Sequence, residues 1–200
     1  MFLIILLITK FEIRLFSIMK ILKVIIVGIL GIMALMMIIS VFIPSLVVME
    51  RSIVIKAPKE FIFQQVNDFR NWNNWSPWML SDSTMVIKLE ESRGGEGSVF
   101  LNWENSNSKG TISISKSVPF ELIETIIERD NFSPVRGTHK FEELSDGVRV
   151  HWNMQTDMGK SPYRKYKGFF LDNMIGSKME KGLQNLKYYT ENNVGTAVLK

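Results

Sequence analysis

From Val24 to Ile43 the chain runs for twenty residues without a charge, and most of them are Ile, Val, Leu or Met. A helix of that length crosses the roughly 30 Å hydrocarbon layer of a bilayer. Inside lipid only a helix bonds all of its own backbone groups within one segment, so this stretch is predicted to be a transmembrane helix. Its flanks give it a direction. Lys10, Arg14, Lys20 and Lys23 precede it against one acid, Glu12, whereas Pro44 and the balanced pair Glu50–Arg51 follow. Positive charge stays on the cytoplasmic side, which puts the N-terminus inside and everything after residue 43 outside. The region before Pro44 holds no clear small-x-small cleavage site, and the apolar run exceeds the usual length of a signal-peptide core. It therefore reads as an uncleaved anchor in the cell membrane. Residues 1–23 form a basic cytoplasmic segment whose own apolar run, Phe2–Ile8, is too short to span. Met19-Lys20-Ile21-Leu22-Lys23 has the form of a second start to the anchor, a reading that a native N-terminal peptide containing Phe2 excludes.

The anchor also accounts for the charge balance. The formal net charge is +4, but residues 50–200 hold 20 basic and 19 acidic side chains, which does not argue for nucleic acid as a partner. The chain has no cysteine, which excludes disulfides, zinc–thiolate sites and a cysteine nucleophile.

Residues 44–49 make a short connector, 50–190 the soluble domain and 191–200 a tail. In the domain, Arg51–Lys56 alternates as a strand, and Ala57-Pro58 opens a helix over Lys59–Asp68. Trp72, Trp75 and Trp78 follow at spacing three, ending near Pro77, as one helical turn leading into a loop. Period-two patterns then recur. Met85, Ile87 and Leu89 precede a turn at Gly94–Gly97, and Val99, Leu101 and Trp103 follow it. Further strands are expected around Ile112 and Ile114, over Phe120–Arg129 and over Arg136–Leu144, before the hairpin signal Ser145-Asp146-Gly147. Val148, Val150, Trp152 and Met154 alternate with polar residues on the last strand. Links this short impose antiparallel pairing.

From Ser161 to Tyr189 the periodicity becomes helical, with Tyr166, Phe170, Met174, Ile175, Met179, Leu183 and Leu186 in one drifting stripe. Gly168, Gly176 and Gly182 interrupt it, each at about 1 kcal/mol relative to Ala, which suggests close backbone approach or room left open above a neighbouring surface, against chance glycines in an ordinary core helix. The fold class is therefore α+β: a seven-stranded antiparallel sheet wrapped around a long C-terminal helix, plus the N-terminal transmembrane helix. A curved sheet gripping one helix leaves a gap unless large side chains fill it.

The residues Arg51, Ile53, Ile55, Ala57, Pro58, Phe63 and Val66, then Trp72, Trp75, Ser76, Pro77 and Trp78, resemble the opening of the START-like helix-grip (SRPBCC) superfamily. The resemblance is to its bacterial polyketide cyclase/dehydrase and lipid-transport branch. It continues through Gly94–Gly97, Gly147, Val150 and Trp152 to Met174-Ile175-Gly176, Gly182-Leu183 and Leu186-Lys187, covering about residues 50–190. It implies the helix-grip fold and a cavity for an apolar small molecule, but no activity.

Candidate cavity residues are Trp72, Trp75, Trp78, Trp103, Trp152, Met154, Phe170 and Met174, because indoles and thioethers offer adaptable apolar walls; the alternative for each tryptophan is plain core, where it buries roughly 150–250 Å². His139 and His151 fall on one hairpin; a metal site needs a third ligand, and His151, alternating with apolar residues, points to solvent. Glu124, Glu143 and Asp157 are acid–base candidates only if buried. Gly94–Gly97 lacks the context of a phosphate loop. Lys160, Arg164, Lys165 and Lys167 read as a solvated basic face or as contacts to anionic headgroups. The expected function is a membrane-anchored binding protein for a lipid or other hydrophobic small molecule, with no cofactor, no metal and the bilayer as partner. A cyclase- or dehydrase-type enzyme and a protein-interaction module are the alternatives.

Overall fold

The computed structural model describes residues 2–81, 86–90, 100–104, 109–130 and 132–194, with the backbone alone for 2–13, 15, 80, 81, 86–90 and 100–104. The chain divides into two compact units, Met1–Pro44 and Ser45–Lys200.

The first unit is one helix, α1 (Phe2–Phe42). Within it, Phe16–Phe42 is long and apolar enough to cross a membrane. The helix does not begin at Val24, where charge disappears, but runs unbroken through Lys20 and Lys23. Long cationic stems lie along an apolar helix while their heads reach outward, and Lys20 Nζ sits 4.5 Å from the Phe16 ring centre. The short apolar run Phe2–Ile8 belongs to the same helix.

The second unit is α+β. Its strands are β1 (Leu46–Ile55), β2 (Val86–Glu90), β3 (Phe100–Glu104), β4 (Lys109–Val118), β5 (Leu122–Arg129), β6 (Val135–Leu144) and β7 (Gly147–Asp157). They pair antiparallel in the order β1-β7-β6-β5-β4-β3-β2. The seven strands expected from the alternation are unequal. Five of them, β1, β7, β6, β5 and β4, form the body of the sheet, and the five-residue β3 and β2 continue it beyond β4. The turn expected at Gly94–Gly97 lies outside the described residues.

β7 organises the sheet. Val148, Val150, Trp152, Met154 and Thr156 are buried and the residues between them half-exposed, the period of two that a strand with one covered face requires. β1 pairs along its whole length, from Leu46 opposite Asp157 to Ile55 opposite Val148. That is why β1 starts at Leu46 rather than Arg51: the second half of β7 needs a partner, and Val47 and Val48 after Leu46 supply β-branched residues for it. The link from α1 shrinks to Ile43–Ser45.

Between β1 and β2 the chain forms α2 (Lys59–Asn67), a 3-10 turn (Phe69–Asn74) and α3 (Pro77–Ser81). These cover the inner face of the sheet together with the C-terminal segment, which is not one helix. It comprises α4 (Pro162–Phe169), a π turn (Asp172–Gly176) and α5 (Ser177–Asn192). α5 packs on β1, α2 and α3. The segment follows β1 upward: Gly168 lies against Val47 and Gly176 against Arg51, while Lys187 Nζ donates to the Val54 carbonyl at 2.9 Å. Glu191 accepts from the Lys56 amide at 2.7 Å. Arg51 binds Glu180 at 2.7 Å and Asp172 at 3.1 Å, tying β1 to both the π turn and α5.

Gly182 is where the helix comes nearest the core. A Cβ there would sit 3.0 Å from both the Pro77 ring and the six-membered ring of Trp152, two groups that cannot swing aside. The expectation of close backbone approach is met at this glycine. The core-facing positions are Gly168, Gly176, Met179, Gly182, Leu183, Leu186 and Thr190, with Leu171 and Ile175 partly buried beside them. Tyr166, Phe170 and Met174, expected in the same stripe, are not on it: Tyr166 is half-buried, and Phe170 and Met174 are exposed. Counting back from Ile175 in helical steps reaches Leu171 and Gly168, about 100° away from Met174 and Phe170.

Candidate ligand-binding face

The 3-10 turn explains the spacing from Phe69 through Trp72 to Trp75, which caps it, whereas Trp78 lies on α3. With three residues per turn, side chains at i and i+3 stand above one another. Phe69 meets Trp72 edge-on at 4.8 Å, Trp72 meets Trp75 at 5.1 Å, and Trp75 reaches across to Trp152 of β7 at 5.7 Å. Trp78 completes the row, edge-on to Trp152 at 5.6 Å. The indoles also serve α2. Trp72 Nε1 donates to the Val66 carbonyl and Trp75 Nε1 to that of Gln65, each at 2.9 Å, and Asn71 Nδ2 donates to Gln64 at 3.0 Å. These are carbonyls of the last turn of α2, which have no partner within the helix.

Trp72, Trp75, Trp152 and Met154 are thus brought together as buried core, and Trp78 is half-buried at its margin. Trp103 lies on β3 opposite Gly110, and its side chain is outside the described part of the structure. Phe170 and Met174 do not join this group. They are 57 % and 65 % exposed, and Phe170 packs edge-on against Phe169 at 5.4 Å.

Beneath the tryptophans lies a residue that reading the sequence undervalued. On β6, Gly137, His139 and Phe141 face inward, and His139 is opposite Trp152 on one side and Ile123 on the other. Its ring stacks on Trp152 at 4.9 Å with 29° between planes and meets Trp75 edge-on at 6.3 Å. It is 1 % exposed, and neither ring nitrogen has a hydrogen-bond partner among the described residues. Burial disfavours the charged imidazolium and pulls the pKa from 6.5 down to about 3, so the ring is a neutral donor and acceptor at ordinary pH. An unpaired buried polar group of this kind costs about 1–3 kcal/mol and asks for a reason. A second buried polar side chain, Thr125, stands one strand over. It faces Gly137, whose missing side chain makes room for it: a Cβ there would sit 2.4 Å from the Thr125 hydroxyl. His139 is legible by phase, since it stands two residues from Phe141 on the same face just as Trp152 does from Val150.

His151 lies on the opposite face, partly exposed, 3.6 Å from Glu142 and 3.9 Å from Glu50. The two histidines of the hairpin therefore face opposite ways, and the described residues contain no group of three or more potential ligands that could hold a metal ion. None of the acid–base candidates is buried. Glu143 and Asp157 are exposed, and Glu124 is half-buried at a position out of phase with the inward-facing Ile123 and Thr125. Around the aromatic group, Trp78, Met79, Ile112, Ile127, Leu171 and Ile175 are only partly buried. The inner face thus combines apolar walls with the neutral polar groups of His139, Thr125 and Thr156, of which Thr156 already donates to the Pro134 carbonyl at 3.2 Å; apolar walls with a few polar groups suit an apolar molecule with one polar function.

Residues 47–191 match the model of the family described as polyketide cyclase / dehydrase and lipid transport. No curated protein matches significantly. Among solved structures, a protein of unknown function from Staphylococcus aureus is similar at 14 % identity, over 78 % of this chain and 97 % of the other, with a TM-score of 0.55. A protein from Chromobacterium violaceum is similar at 17 % identity, over 72 % and 98 %, with a TM-score of 0.54. The di-domain ARO/CYC StfQ of the steffimycin biosynthetic pathway is similar at 11 % identity and a TM-score of 0.54. The similarity to StfQ spans 75 % of this chain and about half (52 %) of that one. At these identities the likeness is one of fold.

Proposed function

The chain belongs to the polyketide cyclase / dehydrase and lipid transport family, and from that premise we propose that it is a membrane-anchored binding protein for a lipid or other apolar small molecule. In this reading α1 spans the bilayer once. The four basic residues Lys10, Arg14, Lys20 and Lys23 keep its N-terminus in the cytoplasm, and the α+β unit works on the other side. The ligand lies on the inner face of the sheet, entering past Trp78, Met79, Leu171 and Ile175. Burial of apolar surface, at about 25 cal/mol per Å², supplies most of the affinity.

One observation carries the reading. His139 is buried with both nitrogens unpaired among the described residues, on a mainly apolar face whose other buried polar side chains are Thr125 and Thr156. A purely structural core would place a hydrocarbon there. A site for a ligand bearing a hydroxyl, carbonyl or ester gains from a neutral ring able to donate at one nitrogen and accept at the other. The test is native mass spectrometry of the full chain in nanodiscs after incubation with a mixed phospholipid and fatty-acid extract. The proposal expects a bound species with wild type and much less with His139→Leu. It also expects the variant to be more stable by about 1–3 kcal/mol, because an unpaired polar group has gone. A His139→Leu protein that is less stable, or that retains the same species, contradicts it.

The same histidine gives a second reading its footing. Cyclase-type chemistry would use His139 as its acid–base group, and the ARO/CYC protein StfQ shares the fold. Arg51, on the inward register of β1, is already engaged by Asp172 and Glu180. Conversion of an added polyketide, rather than its retention unchanged, would select this reading.

A further inference from the structure

The exposed side of α4 and the π turn has no role in the packing described above. Tyr163, Phe170 and Met174 follow one another at steps of seven and four, so they stand along one side of the helix, with Phe169 beside Phe170; all four are exposed. Cations are interleaved with them. Lys160, Arg164 and Lys167 are exposed, and Lys167 Nζ lies 4.8 Å over the Tyr163 ring. An aromatic stripe edged by bases is the composition of a segment that lies in the headgroup layer of a bilayer, rings in the acyl boundary and ammonium groups among phosphates.

The place of this stripe in the fold points to the same occupant. Gly168 of α4 packs against Val47 and Met158, and the Met158 amide donates to the Ser45 carbonyl at 2.8 Å. α4 therefore sits at the start of β1, where Leu46 and Val48 are exposed as well. In the chain only Ile43, Pro44 and Ser45 separate Leu46 from Phe42, the last residue of α1. The four Cα–Cα steps from Phe42 to Leu46 reach at most about 14 Å, so a bilayer holding α1 is within that length of chain from β1.

We propose that α4 and the π turn form a docking surface for anionic lipid, through Tyr163, Phe169, Phe170 and Met174 inserted among the headgroups and Lys160, Arg164 and Lys167 paired with them. This rests on the membrane-anchor part of the reading above, not on ligand binding. Docking holds the covering segment of the inner face, through Leu171 and Ile175, against the surface from which an apolar ligand would come.

The natural chain has no cysteine, so single probes can be placed. The full chain carrying Phe170→Cys, labelled with an environment-sensitive fluorophore, is reconstituted into vesicles of phosphatidylcholine with or without phosphatidylserine. Tyr188→Cys on the exposed side of α5 is the reference. Flotation comes first: a chain that does not float with vesicles at high salt refutes the anchor and, with it, this proposal. In vesicles containing phosphatidylserine the label at 170 should be blue-shifted and quenched by spin-labelled lipid, and the label at 188 should not. Each of Lys160→Gln, Arg164→Gln and Lys167→Gln should lower the docked fraction roughly fivefold, with a matching loss at high salt. Equal responses at 170 and 188, or quenching at 170 unchanged without phosphatidylserine, overturns the proposal. Protection of the label at 170 that survives in detergent and rises with protein concentration would give the stripe to a second copy of the chain, and also overturns it.

Discussion

The two halves of the C-terminal segment differ in what lies beneath them. Over α5, Met179, Leu183, Leu186 and Thr190 are buried to within 2 % and Gly182 lets the helix backbone down onto Trp152. Over α4 and the π turn, the only buried positions are glycines, Gly168 and Gly176, and the large side chains Tyr163, Phe169, Phe170 and Met174 stand in the open. Both halves are amphipathic and both carry aromatic or long apolar residues, yet one is held by fully buried side chains and the other by glycines, by the partly buried Leu171 and Ile175 and by the Asp172–Arg51 pair. What separates them is the Arg51 cluster, where Asp172 and Glu180 share one guanidinium at the π turn. Extra turns of the π type often mark functional sites within helices.

The difference can be broken experimentally. Leu186→Ala should cost about 2–5 kcal/mol, since a fully buried side chain leaves a cavity between α5 and β1, and urea unfolding of the full chain in nanodiscs would measure it. A comparable cost at Phe170→Ala would erase the distinction between the halves. The packing beneath α5 should also respond to pH. Below 6.5 the unfolded chain gains a proton at His139 that the folded ring refuses. Stability should therefore fall by a few kcal/mol as pH drops from 6.5, levelling near about 3 where the folded ring protonates. In His139→Leu that component of the slope should vanish.

How much of this could be read from the sequence follows from the same contrast. β7 and the hairpin before it were legible because alternation over eleven residues leaves one choice of face. The apolar helix was legible from length alone. The C-terminal stripe was misread at Phe170 and Met174 because two stripes, offset by about 100°, both contain large apolar residues, and only the glycines distinguish them. Gly168 marks the line that continues to Leu171 and Ile175. His139 reads from sequence as half of a two-histidine metal candidate because histidine is polar, although its position between Gly137 and Phe141 has the phase of the core. The spacing of Trp72, Trp75 and Trp78 was visible, but that two of them close the end of α2 depends on a chain reversal that spacing does not encode.

Smaller effects sharpen the comparison. Gly182→Leu should destabilise by about 1–3 kcal/mol, because the added atoms meet Pro77 and Trp152, and thermal unfolding would show it as a lowered Tm. Phe170→Ala should change stability by less than about 0.5 kcal/mol, as an exposed substitution does. Its effect should appear instead in lipid contact.

The account stands most directly on the state of one ring. Nitrogen chemical shifts of His139 in the full chain, recorded in nanodiscs with and without the lipid and fatty-acid extract, report its protonation and its hydrogen bonds together. A ring that stays neutral well below 6.5 and shifts when ligand is added is the predicted result. A ring that titrates near 6.5, or that is unmoved by a ligand shown to be bound, would contradict a site built around it.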